Sequence, residues 1–178
     1  MELSKLMDMA RAEGFETVAE LDVGTLKFLP EVRDMCTSDR CRSFGRSWSC
    51  PPACGSLEEI SAKCRGYTRG IIVQTVGRRD DEFDFESITR VNELNKARFA
   101  RLADAYAAAG ADCYPMGSGA CTICSKCTYP DAPCRFPERM HSSMEANGLF
   151  VSQVCKDNGV KYYYGPDSIC FVGCFLFR

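Results

Sequence analysis

The fold is decided by one short apolar run, Gly70-Ile71-Ile72-Val73-Gln74-Thr75-Val76. Its β-branched residues are typical of a strand, and its lack of polar alternation indicates a central strand that is covered on both faces. The acidic residues that follow, Asp80, Asp81, Glu82 and Asp84, are favourable near a helix N-terminus. A long helix is predicted after them, because apolar residues recur at helical spacing from position 88 to 106, before Gly110.

The flanking segments continue this alternation of helices and strands. Helical spacing predicts helices over 3–13 and 151–158, each followed by glycine, and a capping box at Ser56 begins a third that runs to Cys64. Strands are predicted over 17–23, 111–116, 161–164 and 169–177, and a loop without periodicity over 33–52. The pattern favours a single domain, residues 1–178, with an α/β layered sandwich, a small central sheet and two cysteine-rich cluster-binding loops at one end.

Composition narrows the class of protein. The chain has 178 residues, a net charge of −2 and a pI near 5.5, so there is no basic field for nucleic acid. It shows neither a signal-peptide core nor an apolar run long enough for a membrane helix, which predicts a soluble cytoplasmic protein without a membrane partner. Thirteen cysteines, an odd number, indicate metal ligation in a reducing compartment more than disulfides.

The sharpest motif is a run of four cysteines, Cys121-x2-Cys124-x2-Cys127-x6-Cys134. The first three follow the spacing of bacterial ferredoxins, in which a tight loop wraps a [4Fe-4S] cluster. Nearby glycines and prolines suit such a loop. The fourth position departs from the ferredoxin pattern, since six residues instead of three precede Cys134. Zinc is the alternative, although zinc sites usually pair two separate CxxC units.

A second group lies in the predicted loop, Cys36-x4-Cys41-x8-Cys50-Pro51-Pro52-x-Cys54. A cysteine followed by proline is a feature of ferredoxin ligands. Cys36, Cys41 and Cys50 are the firm ligand candidates, with Cys54 as the preferred fourth ligand and Cys64 as a more distant alternative. If Cys54 is not a ligand, one iron stays open to a substrate. The loop also contains arginines to offset cluster charge and an aromatic ring to shield the cluster from water, at Arg40, Arg42, Arg46 and Trp48.

The remaining cysteines lie in apolar or periodic segments and are predicted to be core residues: Cys113, Cys155, Cys170 and Cys174. His141, the single histidine, is expected to be a solvated or helix-capping residue more than a proton donor or ligand. Gly117-Ser118-Gly119 lacks the lysine and the spacing of a phosphate loop.

Several stretches resemble a family of cysteine-rich predicted metal-binding proteins from anaerobic bacteria and archaea, domain of unknown function family 2284. They are 41–52, Met116 to Cys121, Pro133 to Pro137 and Ser143 to Ala146, and the resemblance covers roughly Arg33 to Phe177. It implies that Cys36, Cys41 and Cys50 belong to one site and that the run from Cys121 to Cys134 forms another. Cys170 and Cys174 lie outside the shared pattern.

These observations predict an iron–sulfur protein with one or two [4Fe-4S] clusters, which transfers electrons to a redox partner protein or acts as a reductase or activator component. Cluster-binding loops near the surface suit such a carrier. Two alternatives remain at this point: an enzyme whose open-site cluster acts on a small substrate, and a zinc-stabilised interaction module without redox function. The sequence does not indicate the oligomeric state.

Overall fold

A computed structural model describes residues 1–81 and 83–178, so the predicted acidic helix start at Glu82 lies outside the described residues. Within these ranges there are four strands: β1 Thr17–Leu21, β2 Arg69–Arg78, β3 Cys113–Met116 and β4 Ser168–Phe177. They form one antiparallel sheet in the order β1-β2-β4-β3. The predicted central strand is confirmed as β2, which pairs with β1 on one side and with β4 on the other.

In the described part of the chain, five α-helices accompany the sheet: α1 Leu3–Ala12, α2 Pro30–Asp34, α3 Leu57–Cys64, α4 Phe85–Ala108 and α5 Val151–Asp157. The predicted capping box of α3 is present, with Ser56 and Glu59 bonded reciprocally. At the start of α4 the carboxylate of Asp84 accepts a hydrogen bond from the Ser87 N–H. Local sequence signals therefore set the beginnings of both helices.

The sheet is covered on both faces, as predicted. On one face Ile71 and Phe175 contact residues of α1 and α4, including Phe99, whose ring stacks on Phe175 at 4.4 Å between centroids. On the other face Ile72 and Cys174, which are paired in the sheet register, pack with residues of α3 and α5. The alternation of side chains along β2 and β4 thus builds an α/β sandwich with two apolar layers.

The predicted strand over 161–164 is wrong. The segment is irregular because the buried side chain of Gln74 takes the place of a strand ladder there. Its Nε2 donates to the Lys161 carbonyl at 2.8 Å, and its Oε1 accepts from the Tyr164 hydroxyl at 2.7 Å.

The predicted loop over 33–52 is partly wrong, since its first residues are helical. The short helix α2 begins with Pro30 at its first position, where a fixed φ suits a helix, and a 3-10 helix Met35–Ser38 follows. The chain is irregular from there to α3. The first cysteine group therefore begins on a helical turn, at Cys36.

Candidate metal centre

The four cysteines of the second run come together around one small cavity. Burial raises the pKa of the Cys121 thiol, and the charges of the other three cysteines raise it further. Each of the four side chains is half-buried in the loop that follows β3. The run predicted from spacing is therefore also a cluster in space, formed by Cys121, Cys124, Cys127 and Cys134.

The second run sits on a loop that is closed at its base. The Gly117 N–H donates to the Ser142 carbonyl at 3.0 Å, and the Met144 N–H donates to the Gly117 carbonyl at 2.9 Å. Helix α4 holds the first residues of the loop, since Asn95 Nδ2 donates to Ser118 Oγ at 2.9 Å and Lys96 Nζ donates to the Ala120 carbonyl at 3.0 Å. The chain leaves and re-enters the sandwich at adjacent points.

The surroundings of Cys127 favour the thiolate form of its side chain. Burial raises its pKa, but hydrogen bonds outweigh that effect and lower the pKa below its ordinary value. The donors are the backbone N–H groups of Tyr129, Trp48 and Thr128 and the hydroxyl of Ser47. Hydrogen bonds to the charged form of a thiol favour that form, which is the form that binds metal.

The first cysteine group lies beside a much larger cavity of about 650 Å³, whose wall includes Cys36, Cys41 and Cys50. Burial raises the pKa values of Cys36 and Cys50, and both thiols also feel the charges of Cys41 and Cys54. The four predicted cysteines of this group are therefore neighbours.

Cys54 differs from the other three because it does not line the cavity. Its Sγ lies 3.5 Å from Nη2 of Arg33 and 3.8 Å from the Ala146 carbonyl oxygen. Burial raises the pKa of Cys54, and the Arg33 guanidinium opposes that rise. Three cysteines thus face the cavity, while the fourth is held by an arginine at its edge.

One nitrogen of the Arg33 side chain lacks a hydrogen-bond acceptor among the described residues. Its Nη2 donates to the Gly55 carbonyl and contacts Cys54, but its buried Nη1 has no hydrogen-bond partner within the described part of the chain. A buried donor without an acceptor costs about 1–3 kcal/mol. An anionic sulfur ligand set beside Cys54 is a fitting acceptor, so this orphaned donor fits a bound cluster at the first site.

The arrangement does not fit a single ion as it stands. Among residues 1–81 and 83–178, no three His, Cys, Asp or Glu side chains converge closely enough to hold one metal ion. A tetrahedral zinc site would bring its thiolates to about 3.8 Å from each other, given Zn–S bonds of about 2.3 Å. Thiolates that bind different irons of one cluster stand farther apart than the thiolates of a zinc site.

Space differs between the two sites. The cavity among the four cysteines of the second run has a volume of about 20 Å³, little more than the ~10–15 Å³ that one water needs. The 121–134 loop must therefore expand to take a cluster of eight atoms. The cavity at the first site is already larger than any such cluster, and its excess volume is available to something else.

The remaining cysteines lie away from both cavities and belong to the core or pack against it. Cys64 is buried in the layer between the sheet and α3, where burial raises its pKa to about 11. Burial likewise raises the pKa of every other member of this group, which explains their predicted role as small apolar residues. They are Cys113, Cys155, Cys170 and Cys174.

His141 is not the solvated residue that was expected. Its ring packs edge-on against Phe99, with 6.0 Å between the ring centroids. Burial lowers its pKa, Asp104 opposes that effect and Arg139 adds to it. The side chain lines a small cavity of about 100 Å³ next to Lys96 and Cys121.

Trp48 lies at the second site and not, as predicted, at the first. Although it belongs to the first cysteine loop, its ring lines the cavity of the second run, and Nε1 donates to the Ala132 carbonyl at 3.1 Å. Among the predicted arginines, Arg40 lines the first cavity, whereas Arg46 forms an ion pair with Asp39 at 3.0 Å.

Sequence reasoning missed three polar contributors, because their side chains approach the sites only through the fold. Arg33 precedes the first group by three residues and was assigned only to a loop. Ser49 stands beside Cys50 in the chain but also contacts the second run. Lys96 extends from α4 toward both groups, and the charges of Cys121 and Cys50 oppose the lowering of its pKa by burial.

Of the helices in the described ranges, none is both long enough and apolar enough to cross a lipid bilayer.

In comparisons with known proteins, one family model matches residues 19–177, and its description is a predicted metal-binding protein, domain of unknown function family 2284. No curated protein and no solved structure matches the chain.

Proposed function

This chain belongs to that family of predicted metal-binding proteins, and we propose that it is an iron–sulfur protein that binds two [4Fe-4S] clusters and passes electrons to a partner protein. When bound, such clusters supply one-electron oxidation and reduction. Cys121, Cys124, Cys127 and Cys134 hold one cluster. Cys36, Cys41 and Cys50, with Cys54 as the fourth ligand, hold the other.

One observation carries the proposal: two groups of thiols are each gathered beside their own cavity. The orphaned Nη1 of Arg33 supports the first site, and the hydrogen bonds that lower the pKa of Cys127 support the second. Hydrogen bonds to cluster sulfurs and nearby cations raise a cluster's tendency to accept an electron.

The surface around the second site suits a docking partner. Ile123 and Phe136 line its cavity and remain 40% and 38% exposed. Apolar side chains beside a shallow cluster give a redox partner a contact surface near the site of electron transfer. Neither residue is needed to cover the hydrophobic core, since both lie on the cysteine loop.

The experiment is anaerobic purification followed by iron, sulfide and zinc analysis and by electron paramagnetic resonance of the dithionite-reduced protein. We expect about eight irons and eight sulfides per chain. Cys36→Ala and Cys124→Ala are each expected to remove about half of the iron, and Cys170→Ala, which changes a cysteine outside both sites, is expected to remove none. A colourless protein with stoichiometric zinc and no sulfide would overturn the proposal in favour of the zinc-stabilised module.

A second candidate function is supported by the position of Cys54 outside the cavity wall. With three ligands, the first site keeps one open iron that faces a cavity of about 650 Å³, within the ~300–1,000 Å³ range of small-molecule sites. The protein is then an enzyme that binds a small substrate there.

Cys54→Ala separates the two functions. If the protein is an electron carrier, this variant loses iron from the first site as Cys36→Ala does. If it is an enzyme with an open iron, the iron content is unchanged, and the spectrum of the reduced protein shifts when cyanide, a small ligand for an open iron, is added. Wild-type protein whose spectrum ignores cyanide would rule out the open site.

A further inference from the structure

The segment Ser47-Trp48-Ser49 lies between the two cysteine sites and touches both. Ser49 is fully buried, and its Oγ accepts a hydrogen bond from the Cys121 N–H at 3.0 Å. The same Oγ lies 3.7 Å from Cys50 Sγ and 3.0 Å from the Ser47 hydroxyl. One hydroxyl therefore joins a ligand residue of the first site to a ligand residue of the second.

The other two residues of the segment complete the wall of the second site. Ser47 and Trp48 both line the small cavity of the second run beside Cys127, and the Trp48 Nε1 donates to the Ala132 carbonyl at 3.1 Å. The Trp48 ring meets Tyr129 edge-on, with 4.9 Å between the ring centroids. The first loop is thus docked on the second loop through the Trp48 ring and the Ser49 hydroxyl.

Lys96 places a cation at this junction, beside Cys121. Lys96 is half-buried and is anchored through its hydrogen bond to the Ala120 carbonyl. The ammonium group lies within the electrostatic range of both Cys50 and Cys121. A shared counter-charge reduces the repulsion between two anionic clusters, which otherwise opposes their close approach.

We propose that residues 47–49 form a fixed bridge that holds the two clusters next to each other, with Ser49 on the path of an electron between them. The inference rests on the proposed function. One electron leaves the site that is oxidised and enters the site that is reduced, and no proton or further reactant takes part. Ser49 is a positioning residue, because its Oγ accepts a hydrogen bond from the Cys121 N–H and lies within hydrogen-bond distance of the Cys50 sulfur.

The first test compares spectra of fully reduced proteins. Cys36→Ala and Cys124→Ala each leave one loaded site, so the sum of their paramagnetic resonance spectra describes two isolated clusters. Wild-type protein is expected to show additional splitting or broadening from spin–spin coupling. A wild-type spectrum equal to that sum, from protein with full iron and sulfide content, would overturn the bridge and leave the proposed function intact. Absence of iron and sulfide would instead overturn the proposed function.

The second test changes the bridge itself. With full iron content, Ser49→Ala is expected to weaken reduction of the first site about tenfold in its equilibrium constant, the scale of one charge-assisted hydrogen bond, which equals about 59 mV. Ser49→Thr keeps the hydroxyl and is expected to restore the wild-type potential, and Ser61→Ala on α3 serves as the control. An unchanged potential and an unchanged splitting in loaded Ser49→Ala would contradict the role of Ser49. If Ser49→Ala does not take up iron and sulfide, the comparison of the wild-type spectrum with the sum of the Cys36→Ala and Cys124→Ala spectra decides whether the bridge exists.

Discussion

Replacement of Arg33 by glutamine is expected to lower the reduction potential of the first site by about 50 mV. Arg33 Nη2 lies 3.5 Å from Cys54 Sγ, and the side chain is mostly buried. Two unit charges at that distance interact by about 5 kcal/mol at an effective dielectric constant of ~20. An added electron is shared among the four ligand positions, so roughly a quarter of this energy, about 1.2 kcal/mol, belongs to Cys54, and about 59 mV corresponds to ~1.4 kcal/mol for one electron.

The measurement is a redox titration of the reduced-cluster signal in loaded protein, at fixed pH and ionic strength. Arg46→Gln is the matched control, because Arg46 lies in the same loop and pairs with Asp39 at an exposed position. Its potential is expected to stay within about 10 mV, since exposed pairs contribute little. A first-site potential in Arg33→Gln that is unchanged or higher than that of the wild type would refute the assignment of Arg33 as a cluster-facing cation.

Three further predictions concern stability and loop order. Burial lowers the pKa of His141 in the folded protein, so the unfolded chain binds protons more readily. The free energy of unfolding that this difference contributes is present above pH ~6.5 and is lost as the pH falls. In urea unfolding, the loss of stability between pH ~7 and pH ~5 is expected to be smaller in His141→Gln than in the wild type. Gly173→Ala is expected to cost about 1–3 kcal/mol in urea unfolding, because the new Cβ would lie 2.6 Å from Phe99 Cε2; a change within about 0.5 kcal/mol would contradict this packing. Loading with iron and sulfide is expected to slow amide hydrogen exchange over 121–134 and to leave β2 unchanged, whereas equal exchange in apo- and loaded protein would argue against ligation by this run.

Most of the fold was predictable because its signals are local. The apolar run at Ile71-Ile72-Val73 identified β2, and the capping box at Ser56 identified the start of α3. The failure at 161–164 has a physical reason, since the amide of Gln74 reaches that segment across 87 positions of the sequence to Lys161. A hydrogen bond between such distant residues leaves no trace in the local pattern.

Spacing indicated which thiols lie near one another but not what surrounds them. Spacing grouped the run that begins at Cys121, and the structure brings those side chains together. Spacing placed Trp48 with the first group, whereas docking of the two loops turns its ring toward the second. The contacts of Ser49 and Lys96 with the second loop depend on how the loop docks, so the local sequence around either residue does not predict them.

The closure of the second loop at Gly117 and Ser143 has a consequence for how this architecture can change. Because the backbone enters and leaves the sandwich side by side, the two ends of the stretch between them are held together. Loop length costs little free energy once the ends are fixed, about 0.6 kcal/mol for each doubling. A change in the length of this loop therefore costs little at its base, where backbone hydrogen bonds already hold its two ends together.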